Sequence, residues 1–382
     1  MAHEWFNNSV LQIGKLAYQI TKPMLFAKSA QQAHEDILRI LSLLDSNTPA
    51  QTAIKQLYQS SFKSYPVTIG GVNLPHPFIL AAGFVKGYGF ETEADALTSG
   101  RHKNIIPGWR TMSNLVGTVE MGSFTRHPRL GNDGTVIWRD TATQSTQNRV
   151  GLRNPGAVGA SAFLAQHKAD LPKLFGINIA PSPGVDDPQQ EKTEVLEAIS
   201  AFLSRGIRPA WFTLNLSCPN TEDDPSSHQT ESKTRELCHA ILELLAHEVG
   251  GTIPLWVKIS PTLSDEQYGV LMRVFADVGV SAVIATNTIA MPTPDDGKVM
   301  AGVGGGKLHP HAVRVASLLM NKKRAHNYAV DVIGCGGIQD PISYYDFHKH
   351  GIIAVQYWSG MIFKTPLMAA HILAELEDNT TK

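Results

Sequence analysis

Residues 329–360 read AVDVIGCGGIQDPISYYDFHKHGIIAVQYWSG, and the succession of textures in this stretch decides the fold. An apolar run at 329–336 ends in glycines. Asp340-Pro341 then opens a helical pattern that lasts to residue 350, acid and proline both suiting a first helical turn. A second apolar run follows at 352–359. Nearly continuous apolar runs of strand length are expected of strands buried on both faces, as in a parallel sheet. The same texture recurs upstream at 78–83, 119–125, 174–180, 210–217, 253–260 and 281–288, making eight runs in all. Helical patterns separate the later ones, at 193–204, 230–249, 264–278 and 310–320. Eight alternations of strand and helix are the number that closes a barrel. The expected fold is therefore α/β, a (β/α)8 TIM barrel over residues 62–382. A doubly wound open sheet fits less well, because no GxGxxG follows the first run.

Residues 1–61 have another rhythm. Val10, Leu11, Ile13, Leu16, Ala17 and Ile20 share one side of a helical wheel, and Ile37, Leu38, Ile40, Leu41, Leu43 and Leu44 form a second apolar stretch. Asp45-Ser-Asn-Thr-Pro49 interrupts it, and a short helix over 50–60 follows. This N-terminal helical extension either packs on the barrel or lies against a membrane surface. Lys15, Lys22 and Lys28 add positive charge there without clustering. Two further stretches break the strand–helix rhythm. Residues 87–118 are long, and 181–192, PSPGVDDPQQEK, form a polar loop expected at the rim where barrels place their sites.

Composition narrows the function. The 382 residues carry a formal net charge of −1, so no basic field exists to hold nucleic acid. The three cysteines, Cys218, Cys238 and Cys335, lack CxxC spacing, which argues against a disulfide framework or a zinc site and suits a reducing compartment. The start lacks the pattern of a secretory signal, and no run of 18 apolar residues suggests a transmembrane helix.

The strand ends carry the chemistry. Lys86 follows the first run, Ser123 ends the second, and Asn178 sits in the third. Asn215, Cys218 and Asn220 follow the fourth, Lys258 lies in the fifth, and Thr286, Asn287 and Thr288 end the sixth. Gly334, Gly336 and Gly337 end the seventh; Trp358, Ser359 and Gly360 end the eighth. A single asparagine there is usually a turn or cap residue. Several at successive strand ends call for a ligand rich in amide and carbonyl groups. Lys258 has three readings: a Schiff-base amine, a cation facing the pyrimidine edge of a flavin, or a merely ion-paired lysine. Gly302-Val-Gly-Gly-Gly-Lys307 lacks the spacing of an ATP loop and, with Gly334–Gly337, better suits a backbone phosphate site. Cys218, set among amides and fixed by Pro219, is placed as a reactive thiol, whereas Cys238 and Cys335 read as small buried residues.

Eight motifs, in this order, resemble the dihydroorotate dehydrogenase family over residues 20–372. They are Ala81-Ala-Gly-Phe-Val-Lys86, Asn148-Arg-Val-Gly-Leu-Arg-Asn-Pro-Gly156, Gly176-Ile-Asn-Ile179 and Asn215-Leu-Ser-Cys-Pro-Asn-Thr221. The others are Val257-Lys-Ile-Ser-Pro261, Ala285-Thr-Asn-Thr288, Ile333-Gly-Cys-Gly-Gly-Ile338 and Gln356-Tyr-Trp-Ser-Gly360. The resemblance implies an FMN cofactor surrounded by Ala82, Gly83, Lys86, Ser123, Asn178, Asn215, Lys258, Thr286, Gly305, Gly337, Trp358 and Ser359. It implies that Lys86, Asn148, Asn215, Asn220, Asn287 and Thr288 hold dihydroorotate. Cys218 occupies the position of the catalytic base, and Lys258 would stabilise the reduced flavin. A cysteine there is the habit of the family's soluble members. The N-terminal extension, with Ala33-His34-Glu35, looks like that of the membrane-linked members that use a quinone. The partners implied are dihydroorotate and a quinone, with peripheral contact at the cytoplasmic face of a membrane. If the N-terminal helices only pack on the barrel, the setting is cytoplasmic. Val85, Arg153 and the long 87–122 segment depart from the family pattern. They leave room for another reduced pyrimidine or enone as substrate, or for a flavin-binding relative without catalysis.

Overall fold

The computed structural model describes residues 2–216 and 231–380. Three helices come first: α1 (Ala2–Phe26), α2 (Ala30–Asp45) and α3 (Thr48–Ser61). Ser29 and Gln32 form a capping box at the start of α2, and Asn47 caps α3 with Pro49 in its first turn. A hairpin of β1 (Val67–Ile69) and β2 (Val72–Leu74) precedes β3 (Phe78–Leu80). Next in the chain are α4 (Glu93–His102), α5 (Thr111–Val116), β4 (Val119–Phe124), β5 (Ile137–Asp140), β6 (Ser145–Asn148), α6 (Gly156–Gln166) and β7 (Phe175–Ile179). The middle holds α7 (Pro188–Leu203), β8 (Trp211–Asn215), α8 (Glu231–Val249), β9 (Leu255–Ile259), α9 (Asp265–Val278) and β10 (Ala282–Ala285). The chain continues through β11 (Ile289–Pro292), β12 (Met300–Gly305), α10 (His309–His326), β13 (Asp331–Cys335), α11 (Pro341–His348), β14 (Val355–Tyr357), α12 (Ser359–Phe363) and α13 (Met368–Thr380).

The eight strands β3, β4, β7, β8, β9, β10, β13 and β14 pair in parallel, in chain order, and close into a barrel. Each lies inside one of the eight apolar runs. Their side chains are almost all buried, which is why the runs are so nearly continuous. The polar stretch at 181–192 is shorter as a loop than its composition suggests. Asp187 caps α7, and Pro188 already stands in its first turn. Segment 87–118 is likewise not structureless, since it holds α4 and α5.

A second sheet was not legible in the sequence. Antiparallel strands in the order β11-β12-β6-β5 lie outside the barrel. Gly302-Val-Gly-Gly305 belongs to β12, paired with Ser145-Thr-Gln-Asn148 of β6. The glycines expected in a phosphate loop are thus held in a strand. Lys307, which follows, pairs with Asp140 at 2.8 Å.

The N-terminal helices are fastened to the barrel largely by polar contacts. Asp45, 3% exposed, accepts from Asn104 Nδ2 (2.8 Å), Gly108 N (2.7 Å), Thr111 N (2.8 Å) and Thr111 Oγ1 (2.6 Å). Lys22 Nζ donates to the Phe363 carbonyl at 2.6 Å, and Tyr18 Oη to that of Ile362. Leu11 packs on Leu367 and Ala370. Ile13, Leu16, Ile20 and Met24 of α1, with Ile40 and Leu43 of α2, remain exposed. The helices do pack on the barrel, yet much of the predicted apolar face of α1 points away from it. Among the described residues, no helix is long and apolar enough to cross a membrane.

His76 ties α3 to the barrel. Its ring is fully buried and stacks on Phe62 with centroids 5.0 Å apart, while Nδ1 accepts from Phe78 N at 3.3 Å. Burial pushes the imidazole down to about 4 from 6.5. Between those values the unfolded chain binds a proton that the folded chain refuses. This contribution to stability is complete above about pH 6.5 and is lost as pH falls toward 4, amounting to at most ~3 kcal/mol. Urea midpoints near pH 7 and near pH 5 should therefore differ less in His76→Leu than in the unmodified protein. Equal differences in the two proteins would show that His76 does not titrate in this way.

Candidate active site

The parallel strands deliver their C-terminal ends to one rim, and there a cavity of about 170 Å³ opens. The end of β3 supplies Ala81, Ala82, Gly83 and Lys86, β4 supplies Ser123, and β8 supplies Asn215. Lys258 reaches it from β9, Thr286, Asn287 and Thr288 from the end of β10, and Cys335, Gly336 and Gly337 from β13. From β14 and beyond come Gln356, Tyr357, Trp358 and Ser359. The second sheet closes the remaining side with Thr146, Gln147 and Asn148 of β6 and Gly304 and Gly305 of β12. Residues more than 270 positions apart in the chain meet here because each sits at the same end of its strand.

The polar groups of the cavity are organised in pairs. Asn215 Nδ2 donates to Ser123 Oγ at 3.1 Å, and Thr146 and Ser359 share a 2.6 Å hydroxyl contact. Thr288 N donates to Asn287 Oδ1 at 2.9 Å, whereas the buried Thr288 Oγ1 has no partner among the described residues. Lys258, only 5% exposed, donates to Gln356 Oε1 at 3.2 Å. Burial pushes the Cys335 thiol up, while the adjacent ammonium of Lys258 acts in the opposite direction. Cys335, read from sequence only as a small buried residue, is thus part of the cavity wall. Cys238 fits its bland reading, buried in α8 with its thiol pushed up to about 12.

Most residues expected at the site converge on it. Ala82, Gly83, Lys86, Ser123, Asn148, Asn215, Lys258, Thr286, Asn287, Thr288, Gly305, Gly337, Trp358 and Ser359 all line the cavity. Asn178 is not among the lining residues. It lies inside the barrel, donating to Glu120 Oε1 at 2.8 Å and leaving its buried Oδ1 without a partner among the described residues. Cys218 and Asn220 fall outside the described residues. Glu120 and Gln356 were missed as individual residues, although a glutamate inside the apolar run Val119-Glu-Met-Gly-Ser-Phe124 is itself a signal.

Two more cavities adjoin the first. One, of about 210 Å³, runs between α1, α2 and the rim, lined by Leu25, Phe26, Ala33, Ile37, Leu41, Met112, Leu115, Met361 and Ile362. Its walls are nearly all apolar. Tyr18 and Arg139 are its main polar members, and the Arg139 guanidinium is occupied by the carbonyls of Leu25, Phe26 and Lys28. The other, of about 250 Å³, has a mixed lining that includes Arg39, Lys86, Tyr88 and Arg153. His34 lines all three cavities. Burial, with Lys86 and then Arg153 adding positive charge nearby, pushes its imidazole down to about 4, so the ring is neutral near pH 7. Val85 is fully buried in the hydrophobic core and is not among the residues that line the cavity.

The comparisons agree with this geometry. The family model described as dihydroorotate dehydrogenase matches residues 65–379. A dihydroorotate dehydrogenase (quinone) of Chloroflexus aurantiacus is 29% identical over 365 residues, covering 92% of this chain and 93% of the relative. One from Stenotrophomonas maltophilia is 27% identical over 360 residues, covering 92% and 94%. The crystal structure of DHODH from Eimeria tenella in complex with ferulenol shares the fold, with a TM-score of 0.69 at 22% identity over 88% of this chain and 92% of that one.

The glycine wall makes a direct test of the cavity's construction. Gly305 has φ +86°, and a Cβ there would lie 2.4 Å from the Gln144 carbonyl and 3.2 Å from Ser359 Cβ. Gly134 has φ +76° with nothing within 4 Å of its Cβ position. Gly305→Ala should therefore cost ~3 kcal/mol or more, from left-handed strain plus a backbone clash, against about 1 kcal/mol for Gly134→Ala. Denaturant midpoints of the two variants compare them, and equal losses would mean that β12 yields freely.

Proposed function

Because the chain belongs to the dihydroorotate dehydrogenase family, we propose that it oxidises dihydroorotate to orotate with bound FMN and passes the electrons to a quinone. The observation that carries this reading is the junction at His34 and Trp358. There the polar cavity at the strand ends meets an apolar channel between the N-terminal helices and the rim. One cavity suits a polar substrate against a flavin, and the other admits a greasy acceptor.

The residues present fit FMN. Gly304, Gly305, Gly336 and Gly337 form a wall where backbone comes close without intervening side chains, as a phosphate requires. Ala82, Gly83, Ser123, Asn215, Thr286, Trp358 and Ser359 would enclose the ring and ribityl chain, and the unpartnered Thr288 hydroxyl awaits a polar group. When bound, FMN supplies the hydride acceptor. Lys258, in the cavity wall, would supply a cation to stabilise the negative charge that the group gains on reduction. Asn148, Asn215, Asn287 and Thr288, with Lys86 and Asn220, would orient the substrate so that its C6 hydrogen faces the acceptor. Cys218, three residues beyond Asn215, would take the C5 proton. A thiol with a reference pKa near ~8.5 does this far more readily than a serine hydroxyl.

The apolar channel gives α1 and α2 a role. A quinone partitions into lipid, and Ile13, Leu16, Ile20, Met24, Ile40 and Leu43 of the same two helices are exposed apolar side chains. These residues would rest on the cytoplasmic face of a membrane, letting the acceptor enter without crossing water.

Anaerobic dihydroorotate should bleach the visible flavin spectrum of the purified protein. Cys218→Ala should remain yellow, yet slow that bleaching by 10²-fold or more, on the order of what positioned proton transfer supplies. A yellow protein that dihydroorotate leaves unchanged would move the reading to another reduced pyrimidine or enone. Ile37→Trp, filling the channel, should cut turnover with a quinone about tenfold while flavin reduction by dihydroorotate keeps its rate. Unimpaired quinone turnover in that variant would place the acceptor elsewhere.

A further inference from the structure

Inside the barrel, beneath the cavity, lies a carboxylate that the proposed reaction leaves unused. Glu120 is fully buried on β4. Its Oε1 accepts from Asn178 Nδ2 at 2.8 Å. Its Oε2 accepts from Thr213 Oγ1 at 2.7 Å, Trp211 Nε1 at 2.9 Å and Gln356 Nε2 at 3.0 Å. Each of these four partners donates. An ionised carboxylate accepts about four hydrogen bonds, whereas a protonated one would bring a hydrogen into a shell of donors. The surroundings therefore suit the anion.

Gln356 links this anion to the cavity. Its Oε1 receives the Lys258 ammonium at 3.2 Å, and its Nε2 donates to Glu120. An ammonium only donates and a carboxylate only accepts, so the amide between them can face just one way. Lys258 is thus held through an oriented dipole by a negative charge deeper in the barrel. A buried lysine is costly unless its charge is compensated, and here the compensating charge lies on the side away from the cavity.

Resting on the flavin reading above, we infer that Glu120 is a positioning residue that, through Gln356, fixes the Lys258 ammonium and lowers the reduction potential of the bound flavin. The lysine attracts the negative charge of a reduced flavin. The glutamate behind it offsets part of that attraction, because Coulomb interactions are long-ranged in a low-dielectric interior. A flavin held at lower potential gives up its electrons to an acceptor more readily.

The experiment is a redox titration of the flavin-loaded protein, followed by visible absorbance, for the unmodified chain and two variants. Glu120→Gln removes the charge and should raise the midpoint potential. Thr213→Val keeps the charge but removes one of its four donors, leaving the anion less neutralised, and should lower the potential. A purely structural role would lower the melting temperature of both variants and move neither potential. An unchanged or lowered potential in Glu120→Gln overturns the inference. Should that variant fail to fold, Thr213→Val decides alone, a lower potential supporting the inference and an unchanged one overturning it. A chain that takes up no FMN when the cofactor is added would instead sink the flavin reading, and this inference with it.

Discussion

In the pairing of β8 with β9, Asn215 lies opposite Lys258, and in that of β9 with β10, Lys258 lies opposite Ile284. Parallel register of this kind is the constraint on which the site depends. Side chains alternate between the two faces of a strand, so a slip of one residue would turn Lys258 out among the helices and bring Val257 in. The register is guarded at the opposite end of the barrel. Trp211 and Trp256 stack with centroids 4.3 Å apart, Trp256 Nε1 donates to the Gly70 carbonyl at 2.9 Å, and Gly70 N donates to Asp331 at 2.7 Å. Two large rings that fit only one way make a slipped strand expensive, and the hairpin that receives them seals the barrel floor.

The barrel was legible because burial on both faces leaves a plain mark, an apolar run of strand length, and all eight runs became barrel strands. Site residues at strand ends were legible for a related reason, polar side chains being unexpected in such runs. The second sheet left no such mark. The four residues of Ile137-Trp-Arg-Asp140 are all partly exposed, and the glycines of β12 have no side chains to form a pattern. Glu120 was overlooked although an acid inside an apolar run is a signal, because attention to polar residues fell on the strand ends rather than on the strand interiors. Asn178 was expected in the cavity on the strength of its motif and lies in the barrel interior, bonded to that acid.

The polar interior and the polar cavity form one system. Asn178, Trp211, Thr213 and Gln356 come from three different strands, β7, β8 and β14, and converge on Glu120, while Gln356 also touches the lysine that lines the cavity. Half-satisfied polar networks are worse than apolar packing, so such a cluster persists only where its donors and acceptors match. Every donor around Glu120 is matched. Among the described residues, the unmatched buried atoms include Asn178 Oδ1 and Thr288 Oγ1, of residues for which the family resemblance implies ligand contacts, and Tyr357 Oη in the cavity wall.

The N-terminal helices face a different requirement. Apolar side chains of α1 and α2 line a channel on the inside, and others stand exposed on the outside. A helix pair that buried its apolar face against the barrel would be more stable and would have no channel. Leu11 and Leu41 do pack against the barrel, but much of the attachment comes from contacts that leave the rest of that face uncovered. The five hydrogen bonds that Asp45 accepts from Asn104, Gly108, Arg110 and Thr111 meet this need, as does the Lys22 contact to the rim. Gln51 of α3 adds a bond to Thr111 at 2.7 Å. Each such bond contributes only about 1 kcal/mol net, but leaving any of these buried groups unpaired would cost more. Polar fastening at the edges thus holds the helices in place while the apolar space between them and the rim stays open.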